Sequence, residues 1–211
     1  IVDDFVYLGS KFEKDGRMTG EFERRILKGR CVLGATACIA KNHNVSENVR
    51  LAVHGGVLIP TLMYGSETWT VSERELSKVH TVEMDFLRSM IGKKRSDRVR
   101  NDFVREECGA KESVKVKIKR SMLRWFGHVE RMNDERLTKK VYAARMEGCR
   151  GRGRPRKVWI DQISGIANEW DIQSHNKRRA CMKKVMTLDE MKEVCKDRKK
   201  WRLICNVGGK D

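Results

Sequence analysis

Proline is scarce in this sequence, with two residues in 211. That is too few for a loop-rich all-β fold or for a proline-rich disordered tail. No apolar run approaches the roughly 18 residues of a membrane span, and the start does not resemble a signal peptide. Long stretches without helix breakers favour helices. We therefore expect a mainly α protein with no membrane partner.

Catalytic motifs are also lacking: there is no Walker-type loop, nucleophile elbow or HExxH pattern. Asp3-Asp4 is the only adjacent aspartate pair. Metal-dependent phosphoryl transfer needs paired carboxylates and a third one elsewhere, which nothing in the pattern marks. We therefore expect no catalytic residue in this chain.

The seven cysteines are an odd number, and no two form a CxxC pair. With no secretory signal, they are best interpreted as reduced thiols that pack in the core. A zinc site can be drawn from His175, Cys181, Cys195 and Cys205, but its spacing fits no common ligand pattern. We predict no metal site and no cofactor.

Positive charge is abundant and unevenly spread. The net charge is +17; residues 1–100 hold 17 Lys/Arg and 13 Asp/Glu, and residues 101–211 hold 29 and 16. A basic C-terminal half indicates a polyanionic partner, although an acidic membrane surface or an acidic protein has the same charge. The lack of a membrane span favours nucleic acid.

The first half of the chain predicts a hairpin followed by helices. Residues 5–10 are β-rich and Asp15-Gly16 supplies a turn signal, so a short strand and turn, or a hairpin, opens the chain. Thr19 is a candidate N-cap for a helix reaching about Lys41, with one apolar stripe. Ser46 predicts a second helix that ends before Pro60 and points Val49, Ala52, Val53 and Val57 inward. Ser72 and Glu75 form a capping-box pattern for a third, which ends at Gly92.

The second half predicts further helices separated by a basic linker. Helices are expected over residues 97–108, 113–131, 137–146 and 158–170, and after a second capping box at Thr187 and Glu190. In the helix over residues 113–131, we expect Lys115, Lys117, Lys119, Arg120 and Arg124 to face outward. The fold class is therefore mainly α, with a short N-terminal β-hairpin, a helical bundle, a basic linker and a small C-terminal helical segment.

Residues 151–157 (GRGRPRK) form the sharpest local signal. Glycines let an extended backbone lie close to a groove floor, and arginines suit a narrow minor groove. The Arg-Gly-Arg-Pro core resembles an AT-hook. The alternative is a charged linker that contacts phosphates without selection.

Residues 123–132 place aromatic rings among arginines. Trp125 and His128 could stack on an unpaired base with Arg124 and Arg131 beside them. Phe126 is more typical of the core of an amphipathic helix, and His128 could equally be a hydrogen-bonding structural residue.

Taken in order, seven segments resemble the end of a non-LTR (LINE-type) retrotransposon reverse transcriptase. They are residues 5–10 (FVYLGS), 23–26 (ERRI), 60–69 (PTLMYGSETW), 97–101 (DRVRN), 123–129 (LRWFGHV), 152–156 (RGRPR) and 197–202 (DRKKWR). The match spans nearly the whole chain in order, which makes it more specific than any single motif.

The resemblance implies a role for each part of the chain. Residues 1–17 would be the end of the palm, with Tyr7, Leu8 and Gly9 in the primer-grip hairpin, and residues 18–92 a thumb-like bundle. Residues 93–132 would be a helical pair with a basic face, 133–157 the basic linker, and 158–211 the C-terminal tail. Candidate nucleic-acid contacts are Arg24, Arg25, Lys28, Arg124, Trp125, His128, Arg131, Arg152, Arg154, Arg156 and Lys157.

The resemblance also implies partners and a departure from the family. The partners would be an RNA template, a DNA primer or target DNA, together with the upstream palm and fingers, and the location the nucleus. The chain begins with Ile1, so we expect it to belong to a longer protein. The family's catalytic Tyr-X-Asp-Asp motif, with the Mg²⁺ expected in a complete polymerase, is not in this sequence. We therefore expect no polymerase activity from this chain alone.

A different interpretation of the same pattern stays open. The chain could be a domesticated helical module that binds a protein partner or AT-rich DNA and has no polymerase function. Replacing the basic residues between Arg152 and Lys157 would separate the two interpretations, since only nucleic-acid affinity depends on those charges.

Overall fold

The chain is mainly α-helical, as the sequence predicts, with one short antiparallel hairpin at its start. The computed structural model describes residues 3–144, 157–170 and 186–207. Its strands are β1 (Asp4–Tyr7) and β2 (Ser10–Glu13). Its helices are α1 (Thr19–Ala35), α2 (Ala37–Ala40), α3 (Glu47–Val53), α4 (Ile59–Met63), α5 (Glu73–Met90), α6 (Asn101–Glu107), α7 (Val114–Glu130), α8 (Leu137–Ala143), α9 (Trp159–Glu169), α10 (Leu188–Lys196) and α11 (Arg198–Val207).

The described residues fall into two compact units. Among the described residues, unit 1 comprises residues 3–66 and 71–118, and unit 2 comprises residues 67–70, 119–144, 157–170 and 186–207. The division runs through α7, whose first turn belongs to unit 1. The five segments that the sequence predicts stay a prediction.

The hairpin turns at Leu8-Gly9, not at the predicted Asp15-Gly16. Phe5 pairs with Phe12 and Tyr7 with Ser10, and the two turn residues have φ angles of 45° and 84°. A two-residue turn with two positive φ angles matches the right-handed twist of the flanking strands, and glycine accepts such an angle without strain. Asp15-Gly16 instead forms a turn after β2, where the Gly16 N–H donates to the Glu13 carbonyl at 2.9 Å.

The first predicted helix is shorter than expected. It begins after Met18 rather than Thr19 and ends at Ala35, where Thr36 interrupts it before the short α2. The Thr36 hydroxyl donates to the Val32 carbonyl at 2.7 Å, a local bond that competes with the helical ladder.

The second predicted helix extends beyond Pro60, which was expected to follow its end. A π-helical turn, His54–Leu58, joins α3 to α4, and Pro60 lies in the first turn of α4. Val49 in α3 and Val57 in the π-helical turn are 49% and 43% exposed, and Ala52 is exposed as well, so these three residues do not point inward as predicted. Leu58, Ile59 and Leu62 are buried in their place.

Helix α5 forms the centre of unit 1, and its predicted limits are confirmed. The Ser72 hydroxyl accepts from the Glu75 N–H and the Glu75 carboxylate accepts from the Ser72 N–H, which completes the capping box. Gly92, with φ of 66°, follows its end. Helix α6 begins at Asn101, later than the predicted residue 97, because Arg95–Asp97 form a 3-10 turn.

Unit 2 is built around a cluster of aromatic side chains. Phe126 and Trp201 are buried with ring centroids 5.7 Å apart, and Phe126 lies 6.4 Å from Trp159. The second capping box, at Thr187 and Glu190, is also confirmed. Lys119 was expected to face outward; it is only 7% exposed, and its ammonium pairs with the Glu169 carboxylate at 2.7 Å.

Within the described ranges, no helix is both long enough and apolar enough to cross a membrane.

Candidate nucleic-acid interface

A cationic groove lies on unit 2 between α7 and α11, and it is called the basic groove below. Its volume is about 670 Å³. It is lined by Arg124, His128, Arg131, Arg198, Lys199, Trp201, Arg202 and Cys205. No carboxylate is among these lining residues, so the groove concentrates positive charge in a concave surface, which attracts anions.

Trp201 holds α11 against α7 and so determines the shape of the groove. Its indole N–H donates to the Leu123 carbonyl at 2.9 Å, and the ring lies directly over Gly127. A Cβ atom at position 127 would be 2.2 Å from the Trp201 ring. Glycine is therefore required in the WFGH segment for helix packing, a role that the sequence pattern did not reveal.

The arginines of the groove are fixed by single hydrogen bonds that leave further donors for a ligand. Arg131 donates to the Cys195 carbonyl at 2.7 Å, and Arg124 donates to the Asn206 side-chain oxygen at 3.0 Å. A guanidinium carries five N–H donors, and its planar fork matches the oxygens of a phosphate. These side chains are therefore pre-oriented while keeping capacity to bind an anion.

The basic residues of α11 are held by an aspartate at its start. The Asp197 carboxylate accepts from the Lys199 N–H at 2.9 Å and from the Lys200 N–H at 3.2 Å. The Lys200 N–H is the largest cause that lowers the pKa of Asp197 below its usual range. Asp197 is thus charged at neutral pH and fixes the first turn that carries Arg198, Lys199 and Arg202.

Arg198, Lys199 and Arg202 were not among the predicted site residues. The sequence does indicate a shared position for these cations. Residue 202 lies three and four positions after residues 199 and 198, so the three side chains lie on one side of a helix. The sequence did not show that this face lies beside the WFGH segment of α7.

Trp125 and His128 form a pair one helical turn apart. Trp125 is half-buried and His128 is exposed; their ring centroids are 5.3 Å apart at an angle of 37°. Phe126, which the sequence assigns to the core, is fully buried. Stacking of a base on Trp125 or His128 stays a prediction.

The predicted primer-grip residues lie at the tip of the hairpin. Tyr7 and Leu8 are exposed, and the Leu8 carbonyl accepts from the Tyr64 hydroxyl at 2.6 Å. The Gly9 carbonyl accepts from Arg25, whose guanidinium also lies 4.6 Å from the Tyr64 ring centroid.

Arg25, a predicted nucleic-acid contact, is a structural residue in the described fold. Only 3% of it is exposed, and its guanidinium pairs with the buried carboxylate of Glu21. A buried arginine in such a pair has no surface to offer a phosphate. Arg24 and Lys28, on the same helix, are half-buried.

The other predicted residues lie outside or at the edge of the described ranges. Arg152, Arg154 and Arg156 lie outside them, and Lys157 is an exposed residue at the start of the second range. His175 and Cys181 of the drawn zinc site also lie outside.

The two adjacent aspartates at the start of the chain lie beside lysines. Asp4 pairs with Lys11 at 2.7 Å, and Asp3 lies 3.6 Å from Lys14. Within the described ranges, no group of three or more His, Cys, Asp or Glu side chains could hold a metal ion. Burial raises the pKa of Cys205, at the groove, to about 11.

Fold and groove together define a mainly helical, strongly basic protein with a concave cationic surface on unit 2. Over 210 residues it is 25% identical to a Caenorhabditis elegans protein described as a "putative uncharacterized transposon-derived protein". The alignment covers 96% of this chain and 70% of that protein. No known family matches the sequence, and no solved structure matches it.

Proposed function

We propose that this chain is the nucleic-acid-binding part of a transposon-derived protein, equivalent to the C-terminal part of a non-LTR reverse transcriptase. In this proposal the hairpin is the primer-grip end of the palm, and the helices after it form the thumb and the C-terminal extension. The RNA template, DNA primer or target DNA is the partner, and the upstream palm and fingers supply the Mg²⁺-dependent chemistry in the nucleus.

The basic groove is the observation that carries the proposal. Two segments that separately resemble the family, residues 123–129 and 197–202, line this one groove and meet through Trp201 and Gly127. Phosphate oxygens are the anions that arginine forks and lysines bind in nucleic-acid interfaces. The similarity to a transposon-derived protein supports the same assignment.

The test is a salt-dependent binding assay with a matched control. Fluorescence anisotropy measures affinity for a labelled RNA–DNA duplex between about 50 and 200 mM salt, since each neutralised phosphate contributes about 0.9 to the slope for B-form DNA. We expect Arg124→Ala/Arg202→Ala to lower that slope by nearly two. The control is Arg74→Ala/Lys111→Ala, which removes the same charge from exposed positions in unit 1 that line no described cavity.

Three further results bear on the proposal. Equal affinity for the groove variant and the control would overturn it. Primer extension is expected to fail with Mg²⁺ or Mn²⁺ in the presence of this chain alone, because the Tyr-X-Asp-Asp carboxylates are not in its sequence. Replacing Arg152, Arg154, Arg156 and Lys157 with Ala tests the AT-rich DNA alternative, which requires a larger loss on AT-rich than on GC-rich duplex.

A further inference from the structure

We propose that unit 1 carries a second phosphate-binding site, at the end of α5, which binds the backbone of a nucleic acid. This proposal rests on the proposed function for the class of ligand and on different residues for the site. The cavity, called the α5 pocket, has a volume of about 590 Å³. The cationic residues that line it are Lys41, Arg88, Lys93, Lys94 and Arg95.

Three separate chain segments bring these charges together. Lys41 follows α2, Arg88 lies in the last turn of α5, and residues 93–95 follow Gly92. The φ of 66° at Gly92 ends the helix and turns the chain, which places the Lys-Lys-Arg run beside the cavity. Convergence from distant positions distinguishes the pocket from a run of charges along one exposed helix face.

The cations are not needed to complete the end of the helix. Cations near a helix C-terminus often serve its unpaired carbonyls. Here the Met90 carbonyl accepts from the Arg50 guanidinium, and the Arg88 carbonyl accepts from the backbone N–H of Lys93. The side chains of Lys93, Lys94 and Arg95 therefore remain available to a ligand.

Arg88 is already fixed in one orientation. Its guanidinium donates to the Asn101 side-chain oxygen at 2.6 Å and to the Val99 carbonyl at 3.2 Å. Its Nε is buried and has no hydrogen-bond partner among the described residues. A positioned guanidinium loses little conformational freedom when an anion arrives, which favours binding.

Two carboxylates near the pocket do not cancel its charge. Asp85 is the one carboxylate among the residues that line the cavity. Asp97 is occupied, since it accepts from the Lys94 N–H at 2.9 Å and from the Ser96 hydroxyl at 3.3 Å. The hydrogen bond from the Lys94 N–H also lowers the pKa of Asp97. The Asp97 carboxylate is therefore charged and bound within its own turn. The lining retains five cations against one carboxylate.

An NMR titration with the dinucleotide thymidylyl-thymidine tests the site residue by residue. We expect saturable shifts of the backbone amides of His43, Ser89 and Gly92 in the full chain. Lys41→Ala/Arg95→Ala should weaken the affinity measured from these shifts about tenfold, because each replacement removes a cationic hydrogen-bond donor from around the single phosphate of the dinucleotide. The charge-matched control Arg74→Ala/Lys111→Ala should leave them unchanged. Both pocket positions are exposed, so thermal unfolding should show an intact fold.

The same spectra separate this proposal from the proposed function. Shifts at Gly127 and His128 without shifts at Gly92 would overturn the second site and leave the basic groove supported. Shifts at Gly92 alone would support the second site and count against the groove. Equal weakening by the control variant would mean diffuse charge and overturn the proposal. An equal response to inorganic phosphate would also overturn it, because the site would then take a small anion rather than a nucleic-acid backbone.

Discussion

The two units use arginine in opposite ways. In unit 1, Arg25 is buried against Glu21 and the hairpin turn, where its charge serves the fold. In unit 2, Arg124 and Arg202 remain on the exposed lining of the basic groove. All three lie in helices with aromatic residues nearby, so the local sequence does not distinguish them as candidate nucleic-acid contacts. Burial, and not the amount of positive charge, separates a structural arginine from a candidate phosphate contact.

Replacing Arg25 tests this comparison and should have the largest effect on stability. Arg25→Met removes the cation that pairs with the buried Glu21 carboxylate, which then keeps only the Lys11 backbone N–H, and we expect a loss of about 3–5 kcal/mol in the free energy of unfolding. All five tryptophans lie in unit 2, so their fluorescence reports that unit, whereas circular dichroism reports both. The loss should appear by circular dichroism in urea, with Arg30→Met, exposed on the same helix, as the control. Unchanged stability with weakened nucleic-acid binding would instead make Arg25 a contact residue.

A methyl group at Gly127 should disturb unit 2 next most strongly. Gly127→Ala places Cβ against the Trp201 ring, and overpacking of this kind costs about 1–3 kcal/mol. Gly165→Ala is the matched control, because nothing lies within 4 Å of its added Cβ in α9 and alanine favours helix. Tryptophan fluorescence in urea should show the first variant destabilised and the second slightly stabilised. Equal behaviour of both would disprove the close approach of α11 to α7.

The two capping boxes offer one equivalent change in each unit. Ser72→Ala in unit 1 and Thr187→Ala in unit 2 each remove the acceptor of a helix N–H, and we expect a loss of about 1 kcal/mol for each. Ser72→Thr and Thr187→Ser should retain most of the stability, since either hydroxyl can accept the same bond. Urea midpoints measure all four variants, and an unchanged midpoint for the alanine variants would show that the caps are dispensable.

The smallest effect at neutral pH should come from the buried thiols. Burial raises the pKa of Cys108 in unit 1 and of Cys205 in unit 2 to about 11, and raises the pKa of Cys195 as well. An unfolded thiol has a pKa near ~8.5 and releases its proton earlier than the folded one. Stability is therefore complete below pH 8.5 and falls as the pH rises toward 11. Urea midpoints should be equal at pH 7 and 8 and lower at pH 10.

A chemical readout complements this pH dependence. At pH 8, a thiol reagent should modify the exposed Cys31 and Cys38 and spare Cys108, Cys195 and Cys205. Peptide mass mapping gives the modified positions. Rapid modification of Cys205 would mean that the floor of the basic groove opens to solvent.

Much of the fold was predictable because local patterns specify it. The capping boxes at Ser72 and Thr187 are short-range hydrogen-bond patterns, and both are confirmed. The buried face of α7, with Ile118, Leu123 and Phe126, follows from helical spacing. The hairpin turn at Leu8-Gly9 was misassigned because leucine is unusual at positive φ, and Asp15-Gly16 is the stronger local signal.

The features that were missed depend on residues far apart in the chain. Lys119 faces Glu169, 50 positions away, and Trp201 packs on Gly127, 74 positions away. The π-helical turn before Pro60 was also missed, because the spacing of apolar residues in a regular α-helix does not predict such a turn. The groove residues of α11 were missed for the same reason, since the partner surface on α7 cannot be inferred from spacing alone.

The four residues Glu67–Thr70 have a practical consequence for anyone who divides this protein. They belong to unit 2, although the chain on both sides of them belongs to unit 1. Trp69 is buried there, and the Glu67 carbonyl accepts the indole N–H of Trp159 at 2.9 Å. A recombinant fragment starting at Lys119 would therefore lack a buried tryptophan and a hydrogen-bond acceptor of its own unit. No single cleavage point separates the units cleanly, so domain dissection requires a circularly permuted or grafted chain rather than a truncation.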